Sequence, residues 1–193
     1  MKTNSPGTQA PLPQPNLYVI GFMGTGKSRI SRRISKKLNR PFFDVDDEIE
    51  KAQGRKISDI FASEGEPFFR QLEREYIESG HPRDGCIISC GGGLPCQPGM
   101  VELLKSKGIL LCLHASVDTI LERTSRSTDR PLLQVEDPRK RIEELLSTRE
   151  PYYAQAHTSI LTDHRSIPEV VDSVLRSYNS QAKLWNPATG QDL

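Results

Sequence analysis

Net charge is one of the things this chain nearly lacks. Its 193 residues carry 26 basic and 25 acidic side chains, a formal charge of +1, so nothing points to a nucleic-acid or membrane-surface partner, and any basic cluster needs a local explanation. Cysteine is scarce and badly spaced for metal. Cys86, Cys90, Cys96 and Cys112 form no C-x-x-C pair and two of them sit in apolar strand-like runs, which reads as buried reduced thiols of a cytoplasmic protein rather than zinc ligands or disulfides. Residues 1–15 lack an apolar stretch and hold four prolines and a glycine. A signal peptide or membrane span is therefore not expected there; the segment reads as a disordered leader without a convincing P-x-x-P ligand. Internal repeats are absent, and the length suits one domain but not two ordinary ones. The domain is placed at 16–180, with 181–193, which contain Pro187 and Gly190, as a mobile tail in which Trp185 is positioned to dock.

What is present is an alternation. Short apolar runs at Leu17–Ile20, Pro41–Phe43, Cys86–Ser89, Ile109–Leu113 and Ser159–Leu161 are separated by helix-patterned segments. These segments are Lys27–Leu38, Asp47–Gln53, Pro67–Glu78, Gly99–Lys105, Val117–Thr124, Pro138–Ser147 and Pro168–Tyr178. That order predicts an α/β fold, a buried parallel sheet between two helical layers, whose ligands bind beyond the carboxyl ends of the strands. The first such end carries Gly21-Phe22-Met23-Gly24-Thr25-Gly26-Lys27-Ser28. Strand, G-x-x-x-x-G-K-S and helix in succession form a phosphate loop. Its backbone N–H groups and the following helix N-terminus receive polyphosphate oxygens, Lys27 reaches the β and γ phosphates, and the Ser28 hydroxyl is the expected Mg²⁺ ligand. A nucleoside triphosphate is the expected ligand.

After the second run comes Asp44-Val45-Asp46-Asp47. If the strand persists, Asp44 and Asp46 share a face and point toward the phosphate loop. Asp47 with Glu50 fits an Asp-x-x-Glu capping box for the next helix, and capping competes with chemistry as the reason for Asp46. After the third run, where many phosphate-loop enzymes place a metal-binding aspartate, the chain instead reads Cys90-Gly91-Gly92-Gly93. The missing carboxylate moves the Mg²⁺ role to Asp44. The glycines either permit close approach of a ligand or form a flexible turn.

Arg70, Arg123, Arg130 and Arg149 each follow or flank such features. A solvated surface charge explains any one of them, but phosphoryl transfer needs fixed cations around the migrating group, and a carboxylate substrate needs guanidinium forks. The polar, mixed-charge stretch 125–137 reads as a lid carrying Arg126 or Arg130 over the nucleotide and excluding water.

The chain resembles the shikimate kinase family over about Asn16 to Tyr178. The resemblance rests on Gly21 to Ser28, Asp44-Val45-Asp46, Phe69-Arg70-Gln71-Leu72-Glu73, Ile87 to Gly93, Arg130-Pro131-Leu132-Leu133 and Arg149-Glu150-Pro151-Tyr152-Tyr153, in order. It implies a five-stranded parallel sheet of order 2-3-1-4-5 with a mobile lid and a substrate-binding segment at about 45–80. It also implies a cytoplasmic monomer that moves the γ-phosphoryl of ATP to the 3-hydroxyl of shikimate in aromatic amino-acid (chorismate) biosynthesis. By the same resemblance Lys27, Asp46 and Arg130 are catalytic, and Asp46 also binds shikimate with Arg70, Gly91, Gly92, Gly93 and Arg149. Gly24, Thr25, Gly26, Lys27, Ser28, Arg29, Arg123, Arg130 and Pro168 bind ATP, and Ser28 and Asp44 surround Mg²⁺. The segment Leu161-Thr162-Asp163-His164-Arg165-Ser166 departs from the family's usual adenine loop. A gluconate kinase or nucleoside-monophosphate kinase shares the loop and lid but not the glycine triplet with the Arg70/Arg149 pair. A catalytically silent nucleotide-binding module is expected to have lost Lys27, Asp46 or Arg130, and all three are present.

Overall fold

The computed structural model describes residues 14–125, 133, 135–186 and 191–192; most of the leader, and Arg126 and Arg130 with most of the expected lid, lie outside them. Five parallel strands form the centre: β1 Asn16–Gly21, β2 Phe42–Asp44, β3 Ile87–Ser89, β4 Gly108–His114 and β5 Thr158–Leu161. Their order is β2-β3-β1-β4-β5, as expected. Register places Val19 beside Ser89 and Gly21 beside Leu113, so the phosphate loop and the glycine triplet leave the sheet at the same edge. A second, two-stranded antiparallel pairing joins β6 Trp185–Asn186 to β7 Gln191–Asp192.

Alternation along the strands divides the core in two. Tyr18, Ile20, Ile88, Leu110 and Cys112 face one helical layer, while Leu17, Val19, Ile87, Ile109 and Leu111 face the other. The second layer is α1 Lys27–Leu38 and α8 Ile167–Leu184. Ile30 and Ile34 of α1, and Val170, Val171, Val174 and Tyr178 of α8, supply its apolar stripes. The first layer is α2 Val45–Gln53, α3 Ile57–Ser63, α4 Gly65–Ser79, α5 Met100–Lys107, α6 Val117–Thr124 and α7 Pro138–Tyr153. Among the described residues no helix is long and apolar enough to cross a membrane.

Several element boundaries differ from expectation for identifiable reasons. The second strand ends at Asp44 and α2 begins at Val45, so Asp46 lies in a first helical turn, not on a strand face. The Asp47–Glu50 capping box is not formed: Glu50 instead accepts from the Ile57 backbone N–H and the Lys56 ammonium, stapling the start of α3, a seven-residue helix that the sequence pattern did not reveal. Helix α7 runs past the expected end at Ser147 and through Pro151. Proline lacks the N–H that would bond the carbonyl four residues back, but the buried Tyr153 one half-turn later holds the chain on its helical path. Helix α8 likewise continues to Leu184, and Trp185 packs against the second core cluster.

Gly21 shows how tightly the first strand end is built. Its φ is +135°, and a Cβ there would stand 2.2 Å from the Leu113 carbonyl oxygen on β4. Gly21→Ala is expected to cost about 1–3 kcal/mol, the usual range for overpacking a closed site, read as a lowered urea midpoint with unchanged slope.

Candidate active site

The phosphate loop takes its shape from glycines in left-handed backbone, Gly24 at φ +81° and Gly26 at φ +93°. Gly26 is the N-cap of α1 and offers no side-chain acceptor to the helix. The first N–H groups of α1 are thus left for an anion, at the positive end of the helix dipole. Thr25 is buried and turns its hydroxyl back to the Phe22 carbonyl at 2.8 Å. Lys27 folds over the loop, donating to the same carbonyl at 3.0 Å.

Across from the loop, the Ser28 hydroxyl donates to Asp44 Oδ2 at 2.5 Å and lies 3.3 Å from Ser89 Oγ. That is a hard, all-oxygen arrangement with one carboxylate. Magnesium is commonly held this way, by one or two carboxylates together with substrate phosphates, so Ser28 and Asp44 fit the ion. No group of three or more His, Cys, Asp or Glu side chains suited to hold a metal unaided occurs among the described residues.

Gly91, Gly92 and Gly93 lead from β3 into a short 3-10 turn at Leu94–Cys96. None has positive φ, so the triplet is not needed for an unusual backbone. Proximity is what requires it. A Cβ on Gly91 would lie 3.0 Å from both Asp46 Oδ1 and Glu73 Oε1; one on Gly92 would lie 3.3 Å from Arg149 Nη1; one on Gly93 would lie 2.5 Å from Arg70 Nη2. Four charged side chains from α2, α4 and α7 therefore meet on one stretch of bare backbone.

Arg70 is fixed by its own helix. Its Nε and Nη2 donate to Glu66 Oε1 at 3.0 and 2.8 Å, and its Nη1 donates to Glu73 Oε2 at 2.6 Å. Glu73 is fully buried and its Oε2 also accepts from Gln97, while its Oε1 has no hydrogen-bond partner. Burial outweighs the Arg70 ion pair and pushes the Glu73 carboxyl up to about 7, with Asp46 adding to the shift. Asp46 is raised to about 6, by burial first and by the neighbouring Asp44 charge second, against the pull of Lys27 and Arg70. Arg149 lies over the Phe22 ring, 5.4 Å from its centroid.

Arg123 bridges two strand ends. It donates to the Gly24 carbonyl, to Thr162 Oγ1 and to the Thr162 carbonyl at 3.2, 3.0 and 3.0 Å. The neighbouring Asp163 carboxylate accepts from the Ser116 N–H and hydroxyl, closing the loop after β5 onto the start of α6.

A single crevice of about 790 Å³ is lined by Gly24, Gly26, Lys27, Ser28, Arg29, Asp44, Asp46, Arg70, Gly91, Gly92, Gly93, Arg123 and Arg149. Pro168 opens α8 as an exposed residue and, like Thr25, is not among the lining side chains. The expected Arg130 lies outside the described residues. Sequence reasoning assigned no role to Glu73, Phe61, Ile57 or Cys90, which also line the crevice. Of these only Glu73 carried a signal, its i, i+3 spacing from Arg70.

Both acids are harder to ionise in the folded chain than in the unfolded one. The folded state therefore binds more protons between the two values, and stability falls as pH rises through that window. For Glu73 it runs from 4.5 to about 7. In urea titrations across this range, Glu73→Gln is expected to flatten the decline; an equally steep decline in the variant would remove Glu73 as its source.

Comparison with known proteins gives a consistent result. The shikimate kinase family model matches residues 23–179. A shikimate kinase of Thermodesulfovibrio yellowstonii is 43% identical over 163 residues, covering 84% of this chain and 94% of its own. One from Thermus thermophilus is 40% identical over 181 residues, covering 93% and 95%. Among solved structures, a shikimate kinase from Acinetobacter baumannii in complex with shikimate aligns with a TM-score of 0.81 at 37% identity, over 86% of this chain and 94% of that one. A gluconokinase from Sinorhizobium meliloti aligns with a TM-score of 0.58 at 18% identity over 89% and 95%, a likeness of fold alone.

Proposed function

The chain belongs to the shikimate kinase family, and we propose that it transfers the γ-phosphoryl group of ATP to the 3-hydroxyl of shikimate in aromatic (chorismate) biosynthesis. The observation that carries this reading is the convergence of Asp46, Arg70 and Arg149 on the glycine triplet in the same crevice as the phosphate loop. A phosphate site alone fits any nucleotide kinase. A buried acid beside two guanidinium groups fits an acceptor with both hydroxyls and a carboxylate.

In this reading the loop N–H groups and the α1 N-terminus hold the β and γ phosphates, and Lys27 follows the charge of the migrating group. Ser28 and Asp44 would hold Mg²⁺, which would supply positive charge against that of the phosphates. Arg123 supports the base side of the nucleotide. Arg70 and Arg149 take the acceptor carboxylate, and an acceptor without it would leave both cations unpaired. Gly91 to Gly93 let the ring lie against backbone. Asp46 accepts a hydrogen bond from the acceptor hydroxyl and receives its proton; a carboxyl titrating at about 6 is ionised at neutral pH yet close enough to it to act as a general base. Because phosphoryl transfer is loose, orientation is as much its task as basicity. Arg130, from the lid segment, is assigned to charge on the transferring group.

Coupled ADP release with Mg²⁺ and ATP tests the acceptor. Release is expected with shikimate and not with gluconate, a nucleoside monophosphate or no acceptor, with Lys27→Ala as the blank. Stimulation by gluconate instead would transfer the assignment to the sugar-acid kinases.

Two substitutions test the roles. Asp46→Asn is expected to lower turnover at least ~10²-fold with ATP binding retained; near-normal turnover would end its assignment. Arg70→Ala is expected mainly to raise the shikimate requirement, and an unchanged KM would take it out of the carboxylate clamp.

A further inference from the structure

Arg149 needs a means of being aimed, and the helix that carries it does not supply one unaided. Arg149 and Tyr153 stand one turn apart on α7, with Pro151 between them. The proline leaves the Ser147 carbonyl without its helical partner, which loosens the ladder beneath Arg149. Fixation has to come through contacts that reach beyond the helix.

Tyr153 has the required contacts. Its side chain is 1% exposed, its ring meets His114 edge-on at 6.3 Å, and its hydroxyl donates to the Gly92 carbonyl at 2.7 Å. Burial keeps the phenol protonated and therefore a donor, and the charge of Arg149 acts on it from nearby without reversing that. The same Gly92 faces Arg149 Nη1 and the backbone of Gly21 and Met23. On its other side, the Arg149 guanidinium rests over Phe22 of the phosphate loop.

We propose that Tyr153 is a positioning residue for the carboxylate clamp: through its hydroxyl it locks Gly92 and Arg149 into one unit, with the Phe22 ring as the second support. The inference rests on the assignment of Arg149 to the acceptor carboxylate. It adds that specificity for an acid depends on a phenol that does not itself touch the acceptor, and that the clamp shares a wall with the nucleotide loop.

Steady-state kinetics of Tyr153→Phe, Arg149→Ala and the double variant test it. Tyr153→Phe keeps the ring and removes one hydroxyl. It is expected to raise the shikimate KM about 10-fold, the range for losing one hydrogen bond and leaving a part-buried carbonyl unpaired, with kcat and the ATP KM within about threefold. The preference for shikimate over its carboxamide should fall by a similar factor. In the Arg149→Ala background the hydroxyl should no longer matter. Equal KM effects of Tyr153→Phe in both backgrounds, or a shikimate KM within twofold of the parent, would overturn the proposal. If Arg149→Ala itself leaves the shikimate KM unchanged, the clamp reading falls and this inference with it. Should Tyr153→Phe fail to fold, Phe22→Leu is read by the same cycle: about a threefold KM increase, as for a weak cation–π contact, that vanishes with Arg149→Ala supports the proposal, and any other pattern overturns it.

Discussion

Bare backbone at Gly91, Gly92 and Gly93 is the constraint on which the rest of this site depends. Asp46, Glu73, Arg149 and Arg70 each approach to within 2.5–3.3 Å of where a Cβ would stand. A Cβ at any of the three would force its charged neighbour to shift. The triplet takes this role because of where β3 ends: Ser89 is registered beside Val19 of β1 and Asp44 of β2, so the glycines emerge next to the phosphate loop and beneath the first turn of α2. The sheet order thus decides that an anion site and a carboxylate clamp become neighbours.

Opposed charges in that small volume set each other's properties. Asp46 and Glu73 are both pushed upward by burial, with Asp44 raising Asp46 and Asp46 raising Glu73 further, while Arg70 pulls both down. The result is a cluster that holds protons more readily than isolated carboxylates would. It gives a base candidate near neutrality without any histidine. Burying charge in this way stabilises nothing by itself. The protein retains the cluster at the crevice, where the sheet and two apolar layers provide stability that does not depend on it.

Rigidity is divided between helices and loops. Arg70 is held from its own helix by Glu66 and Glu73, an i, i+3 and i+4 arrangement that needs no tertiary partner. Arg149 is placed differently, over a ring from the phosphate loop and against the backbone of Gly92. Arg123 ties the phosphate loop to the strand end after β5. Two of the three guanidinium groups therefore touch phosphate-loop residues directly.

The parallel sheet, the phosphate loop and most helices were legible in the amino-acid sequence, since each rests on local pattern: β-branched runs, 3.6-residue periodicity, and glycines ahead of Lys27 and Ser28. Local pattern failed where a tertiary contact overrode it. The helix pattern ends at Ser147, yet α7 continues through Pro151 to Tyr153, which is anchored in the core. Glu50 reads as half of a capping box, yet it is drawn away to Ile57 and Lys56. Asp46 shares a strand face with Asp44 only if the strand persists; the strand instead ends at Asp44 and leaves Asp46 in the first turn of α2. Tyr153, quoted in a motif without a role, acquires one only through a partner 61 positions away in sequence. The sequence by itself determined which elements form and which residues can bind phosphate, because those properties are short-range; which charges share a buried space, and hence which of them are perturbed, was decided by the packing of distant segments.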